Sequence, residues 1–255
     1  SPKHPSHVVF FSNKRDITRY DVIRYCAATN THTVIAENPG DVLTWHIDGN
    51  LDLRAHVTFN TKNELALYTR VTVDDPWKQQ LTWLAPDTSS SHSLFFSPCG
   101  AYLYFADTTH TETNLLQRLD IATGEKVELF QDPVFDVYYS DALITDILDK
   151  APPFATTLWG NDGSLAGFSY FRERLTWHFF TANPTIFSPL LHQFLVNPEF
   201  ESWVENRTSQ HIIIGRCSST HPVHYWAFHR KTQTFSFLGS TRPRLEAYDM
   251  ATTIP

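Results

Sequence analysis

The chain has 255 residues, with 27 Asp and Glu against 20 Lys and Arg, a formal charge of −7 carried without a long run of either sign. That leaves no basic stripe to track phosphates, so nucleic acid is not an expected partner. The longest stretch without Asp, Glu, Lys or Arg, residues 176–198, holds three prolines, two His and two Asn, which argues against a membrane span.

Aromatics are plentiful, with 19 Phe, 10 Tyr and 7 Trp, and helical periodicity is scarce, so the expected class is all-β. In chain order, residues 8–11, 21–25 and 33–36 read as three short strands, with a charged connection over 12–18. Asn38-Pro39-Gly40-Asp41 then turns the chain into runs at 42–47, 53–59, 64–73 and 79–84, divided by Asp48-Gly49-Asn50 and Asn60-Thr61-Lys62-Asn63. A third group covers 93–96, 101–106, 114–121 and 126–130, opened by the turn Ser97-Pro98-Cys99-Gly100. A fourth begins at 134–139, passes through an irregular acidic and proline-containing segment, and resumes at 156–159, 165–170 and 176–181, with Asn161-Asp162-Gly163 as a hairpin turn. One short helix is expected near 188–196, because Ser188 offers an N-cap, Pro189 suits the first helical position, and Leu190, Leu191, Phe194 and Leu195 line one face. Strands at 202–205, 211–215, 224–229 and 234–237 complete a fifth group.

These groups repeat one another. Arg24, Ala28-Thr29 and Pro39 answer Arg118, Ala122-Thr123 and Pro133 at one constant offset, and each set frames a β-hairpin. A weaker copy lies at 228–238, turning at Lys231-Thr232-Gln233. A period of roughly 40 to 50 residues with several strands per repeat is the mark of propeller blades. The expected architecture is therefore a partial β-propeller of about five blades of antiparallel sheet.

The segments FFSNKRDITRYDVIRY at 10–25, ENPGDV at 37–42, LDIATGEKVELFQDP at 119–133 and STRPRLEAY at 240–248 together resemble, in order, the propeller of prolyl oligopeptidase family serine peptidases, the acylaminoacyl-peptidase-like branch in particular. The resemblance implies a non-catalytic domain that covers an α/β-hydrolase active site, admits peptides and excludes folded proteins. It also implies residues 1–239 as a propeller fragment with N-terminal blades missing, and 240–255 as an exit segment toward a hydrolase domain of the same parent chain. The alternative is a free-standing propeller scaffold for protein–protein interaction. Exposed edge strands on such a fragment would favour homo-oligomers.

No catalytic residue is expected within the 255. A hydrolase of this kind needs G-x-S-x-G for its nucleophile; the nearest run, Gly160 to Gly167 around Ser164, has the wrong spacing and reads as a hairpin. Cys99 has no identifiable orienting partner, so it too is read as non-catalytic. Asp74-Asp75 and the acidic run at 146–149 read as solvated loops. His221, His224 and His229 do not suit a metal, since 224 and 229 point to opposite faces of one strand; neither metal nor cofactor is expected. Arg172, Arg174, Arg242 and Arg244 are the candidates for gripping a peptide carboxylate, whose two oxygens match a guanidinium fork. Three widely spaced cysteines, Cys26, Cys99 and Cys217, fit reduced thiols and a cytoplasmic location.

Overall fold

The computed structural model describes residues 3–137, 157–160, 163–180, 188–207, 210–248 and 250–251. The described residues are all-β apart from one α-helix and two short 3-10 turns, and their strands form five antiparallel sheets, the blade units of a β-propeller. Every sheet is a meander in which each strand pairs with its neighbour in sequence. Two compact units divide the chain, residues Ser1–Val134 and Phe135–Pro255.

The first unit holds three sheets. β1 (His7–Asp16), β2 (Arg19–Cys26) and β3 (Thr31–Ala36) form the first; β4 (Val42–Ile47), β5 (Leu53–Phe59), β6 (Leu65–Thr69) and β7 (Lys78–Trp83) the second; β8 (His92–Phe96), β9 (Tyr102–Asp107), β10 (Leu115–Asp120) and β11 (Lys126–Gln131) the third. Inner strands carry near-continuous buried runs, as in Leu103 to Ala106 of β9, whereas outer strands such as β3 and β11 hold no buried residue. That gradient is what sheets stacked face to face and fraying outward to solvent require. The second and third sheets meet through Val57, Leu67, Trp83, Leu103, Phe105 and Leu119, and the first meets the second through Val9, Val22, Ile35, Trp45 and Leu53.

Asp or Asn opens turn after turn by accepting the backbone N–H two residues on: Asp16 from Thr18, Asp48 from Asn50, Asn60 from Lys62, Asp107 from Thr109 and Asp120 from Ala122, all at 2.8 to 3.0 Å. The side chain stands in for a backbone acceptor and fixes where each strand ends. At the passage from first to second sheet, the Arg15 guanidinium donates twice to Asp21 at 2.7 and 2.8 Å, and Asp21 also accepts from the Asn38 N–H at 2.7 Å. Those hydrogen bonds, Arg15 foremost, hold the Asp21 carboxyl down at about 2. The ENPGDV segment thus resolves into a junction: Asn38 donates to the Val42 carbonyl and accepts from the Gly40 N–H.

The second unit holds β12 (Thr157–Trp159), β13 (Leu165–Phe171) and β14 (Leu175–Phe179) in one sheet, α1 (Pro189–Leu195), and β15 (Glu201–Arg207), β16 (His211–Ser218), β17 (His221–His229) and β18 (Thr234–Ser240) in the other. Its core gathers Leu158, Ala166, Trp177, Leu191, Leu195, Ile212, Ile214 and Phe228. α1 starts as its sequence dictates, with the Ser188 hydroxyl accepting from the Leu190 N–H at 3.1 Å and proline in the first turn. Leu191 and Leu195 are buried, but Leu190 is half exposed, so the apolar face is narrower than its sequence suggests.

Three expectations are corrected. β1 runs on to Asp16 across a register shift between Ser12 and Asp16, rather than ending at Phe11. The strand expected over 64–73 stops at Thr69, because the Arg70 guanidinium turns back to the Leu53 carbonyl and Asp75 caps a turn at Thr72. Residues 134–137 are bends and irregular chain rather than strand, since Asp132 accepts from the Val134 N–H and turns the chain after Pro133; the remainder of that expected strand and the acidic run at 146–149 lie outside the described residues.

Candidate functional site

The four arginines singled out from the sequence fall on two different turns. Arg172 and Arg174 share the turn between β13 and β14, where the Arg172 guanidinium lies 5.2 Å from the Phe135 ring centre and Arg174 donates to the Pro198 carbonyl at 3.0 Å. Arg242 and Arg244 flank and enter the 3-10 turn Pro243–Ala247 that follows β18, and both side chains are exposed. Ser164 sits in the β12–β13 turn, its carbonyl accepting from the Gly160 N–H at 2.8 Å. Cys99 is exposed with its Sγ 3.2 Å from the Ser97 hydroxyl, and all three cysteines are free thiols. Burial, with Glu201 nearby, pushes the Cys217 thiol up to about 11, so it is protonated at neutral pH.

Of the three histidines, His221 and His224 stay together, edge to face with ring centres 6.1 Å apart, while His229 pairs with another. His211 and His229 touch ring to ring at 2.9 Å across β16 and β17, while His224 bonds Glu246 at 3.1 Å. Among the described residues no three His, Cys, Asp or Glu side chains gather to hold a metal ion.

A different arginine is held as a binding residue would be. In β16 the side chains of Ile212, Ile214 and Arg216 share one face; the first two enter the core, and the third is half-buried at its margin, against Phe194, which packs on that core. Its central carbon lies 4.2 Å from the ring centre of Phe194, on α1, and 3.7 Å from that of Phe200, just before β15. Nε and Nη2 are buried and make no hydrogen bond. Desolvation pulls its pKa below the usual arginine value, with Glu199 pulling the other way. Leaving each such donor unmade costs roughly 1–3 kcal/mol, which the two cation–π contacts only partly offset. His224 is its cross-strand partner on β17, and the ring of His221 lies 5.7 Å from that of Phe200. Sequence reasoning passed over Arg216 although a signal was present: it is the one charged residue at an apolar position of the HIIIGRCS alternation.

A second feature belongs to the first unit. On the side of the first sheet turned away from the second, Phe10, Ile23 and Val34 form one row across the three strands, and Val8, Tyr25 and His32 the next. Together with Lys14, Arg15, Asp21 and Glu37, several of them border a concavity of about 690 Å³. Val8 and Val34 are each more than half exposed.

No family model matches the chain. Dipeptidyl aminopeptidase BIII of Pseudoxanthomonas mexicana is 22% identical over 248 residues, an alignment that takes in 96% of the chain and 33% of that enzyme. The chain thus spans about a third of the length of this curated relative. Among solved structures, prolyl oligopeptidase B from Galerina marginata superposes with a TM-score of 0.56 at 11% identity, over 92% of the chain and 32% of the enzyme. A puromycin-hydrolyzing peptidase of Mycobacterium tuberculosis gives 0.52 at 10% identity, over 92% and 35%. TolB from Acinetobacter baumannii gives 0.51 at 10% identity, over 93% and 54%. At these identities the likeness is one of fold, and the fold is the propeller found in prolyl oligopeptidase family peptidases, as the sequence resemblance implied.

Proposed function

We propose that the chain is the non-catalytic propeller of a prolyl oligopeptidase-like serine peptidase and that it gates the access of peptides to a hydrolase active site carried outside these 255 residues. The observation that carries this reading is the alignment of 96% of the chain with one third of a dipeptidyl aminopeptidase. The chemistry agrees with it: acyl transfer needs an activated nucleophile, an oriented base and oxyanion donors set together, and the sequence contains no G-x-S-x-G. On this reading β18 is the last propeller strand, residues 240–255 lead toward the hydrolase domain, and short peptides are the substrates of the whole protein. The free thiols fit a cytoplasmic location.

The test is to express the full reading frame beside the 255-residue chain and to assay both with short chromogenic peptides and with a folded protein. The full product is expected to cleave the peptides and spare the folded protein, while the 255 residues cleave neither. A reading frame that ends shortly after residue 255 would replace this reading with the interaction scaffold, and turnover by the chain alone that disappears in Cys99→Ser would overturn its non-catalytic part.

A further inference from the structure

We propose that Arg216, Phe194 and Phe200 form a binding site for a monocarboxylate with an apolar body, a site that stands whether or not the chain belongs to a peptidase. The guanidinium makes no hydrogen bond, and its Nε and Nη2 are buried. Nη1 is therefore the donor left facing outward. A half-buried guanidinium flanked by two rings, at 4.2 and 3.7 Å from their centres, is pre-organised: its orientation is fixed before a ligand arrives, and binding costs less ordering entropy. A carboxylate oxygen would accept from Nη1, and the apolar part of the ligand would lie against the half-buried ring of Phe200, since Phe194 is already stacked on Phe235 at 4.3 Å and serves to hold the guanidinium.

The surroundings choose the class of anion. Glu199 is near enough to act on Arg216 electrostatically, Glu201 pairs with Cys217 beside it, and Glu246 bonds His224, the cross-strand partner of Arg216. None of these carboxylates comes within 4 Å of the guanidinium, so it remains unpaired. Their negative charge nonetheless disfavours a dianion such as phosphate and tolerates a single charge. The rings favour an organic acid over a small inorganic anion.

The experiment titrates the 255-residue chain with N-acetyl-phenylalanine, its amide and inorganic phosphate, following the arginine side-chain N–H resonances by NMR and the heat by calorimetry. The acid is expected to saturate, to move the Arg216 Nε–H resonance, and to bind about tenfold more tightly than the amide, a charge-assisted hydrogen bond being lost with the carboxylate. Arg216→Gln is expected to remove that preference. The comparison of acid with amide needs no variant, so it decides the matter even if Arg216→Gln folds poorly. Equal binding of acid and amide, a preference that survives Arg216→Gln, or no saturation by roughly 10 mM would each overturn the site. Tighter binding of phosphate would overturn the assignment of the ligand.

Discussion

His46 and His56 lie in neighbouring strands, β4 and β5, and neither behaves as a surface imidazole. His46 bonds the Ser93 hydroxyl at 2.6 Å; His56 stacks on Tyr68 at 5.0 Å, meets the edge of Trp77 at 4.3 Å, and leaves its buried Nδ1 without a partner. Burial pulls both down to about 4 from an ordinary 6.5. The unfolded chain therefore takes up protons that the folded chain refuses, so stability falls as pH drops from about 6.5 to about 4, by something on the order of 3 kcal/mol per imidazole. Asp21 acts in a lower window: its carboxyl, depressed to about 2, contributes stability that is present above its ordinary 3.8 and is lost as pH falls through 2. Urea midpoints measured from pH 7 to pH 4.5 are expected to decline, and His56→Phe is expected to flatten part of the slope while costing little at pH 7, since it removes an unpaired buried nitrogen. An unchanged slope in that variant would mean His56 is not among the groups responsible.

Three hairpins of the repeat turn in the same way: β2–β3 through Asn30, β10–β11 through Gly124 and β17–β18 through Gln233, with φ of +54°, +80° and +58°. Glycine accepts that conformation freely and glutamine does not. Gln233→Gly is therefore expected to stabilise by about 0.5–1 kcal/mol, and Gly124→Val to cost about 1–2 kcal/mol, as read by thermal unfolding. The second unit repeats another device, a glycine directly across from an aromatic: Gly167 opposite Phe179 and Gly215 opposite Trp203. A methyl on Gly215 would overlap the Trp203 ring, so Gly215→Ala should cost roughly 1–3 kcal/mol or more and shift tryptophan emission. The hairpins and the helix were legible because their signals are local, in Asx turns, alternation and the Ser188-Pro189 cap. The end of β6 was not, since it depends on the Arg70 guanidinium reaching Leu53, 17 positions away. Arg216 was missed for the opposite reason: one charge in an apolar strand is visible in the sequence, but the two rings that give it meaning come from different elements.

At the scale of the whole chain, the outer face of the first sheet is the surface from which self-association is expected to start. With Phe10 and Val34 exposed on one row, sedimentation coefficients should rise with protein concentration, and a Phe10→Lys, Val34→Lys double variant should hold the chain monomeric; association unaffected by that pair would move the contact elsewhere. The sequence reveals that face only through its strand alternation, because whether a face is covered depends on neighbours that are remote in the chain. One turn described above also bears on how the protein ages. Asp-Gly peptides are ordinarily the first to isomerise, when the glycine nitrogen closes on the aspartyl carboxyl carbon to give a cyclic imide and then isoaspartate. Asp48, followed by Gly49, has both carboxylate oxygens engaged, Oδ1 by the N–H groups of Asn50 and Asp52 and Oδ2 by Arg54, and its side chain is wholly buried. So held, it cannot swing onto the glycine nitrogen: peptide maps of protein stored for months at neutral pH should show residue 48 intact, and Arg54→Met should start the chemical clock there.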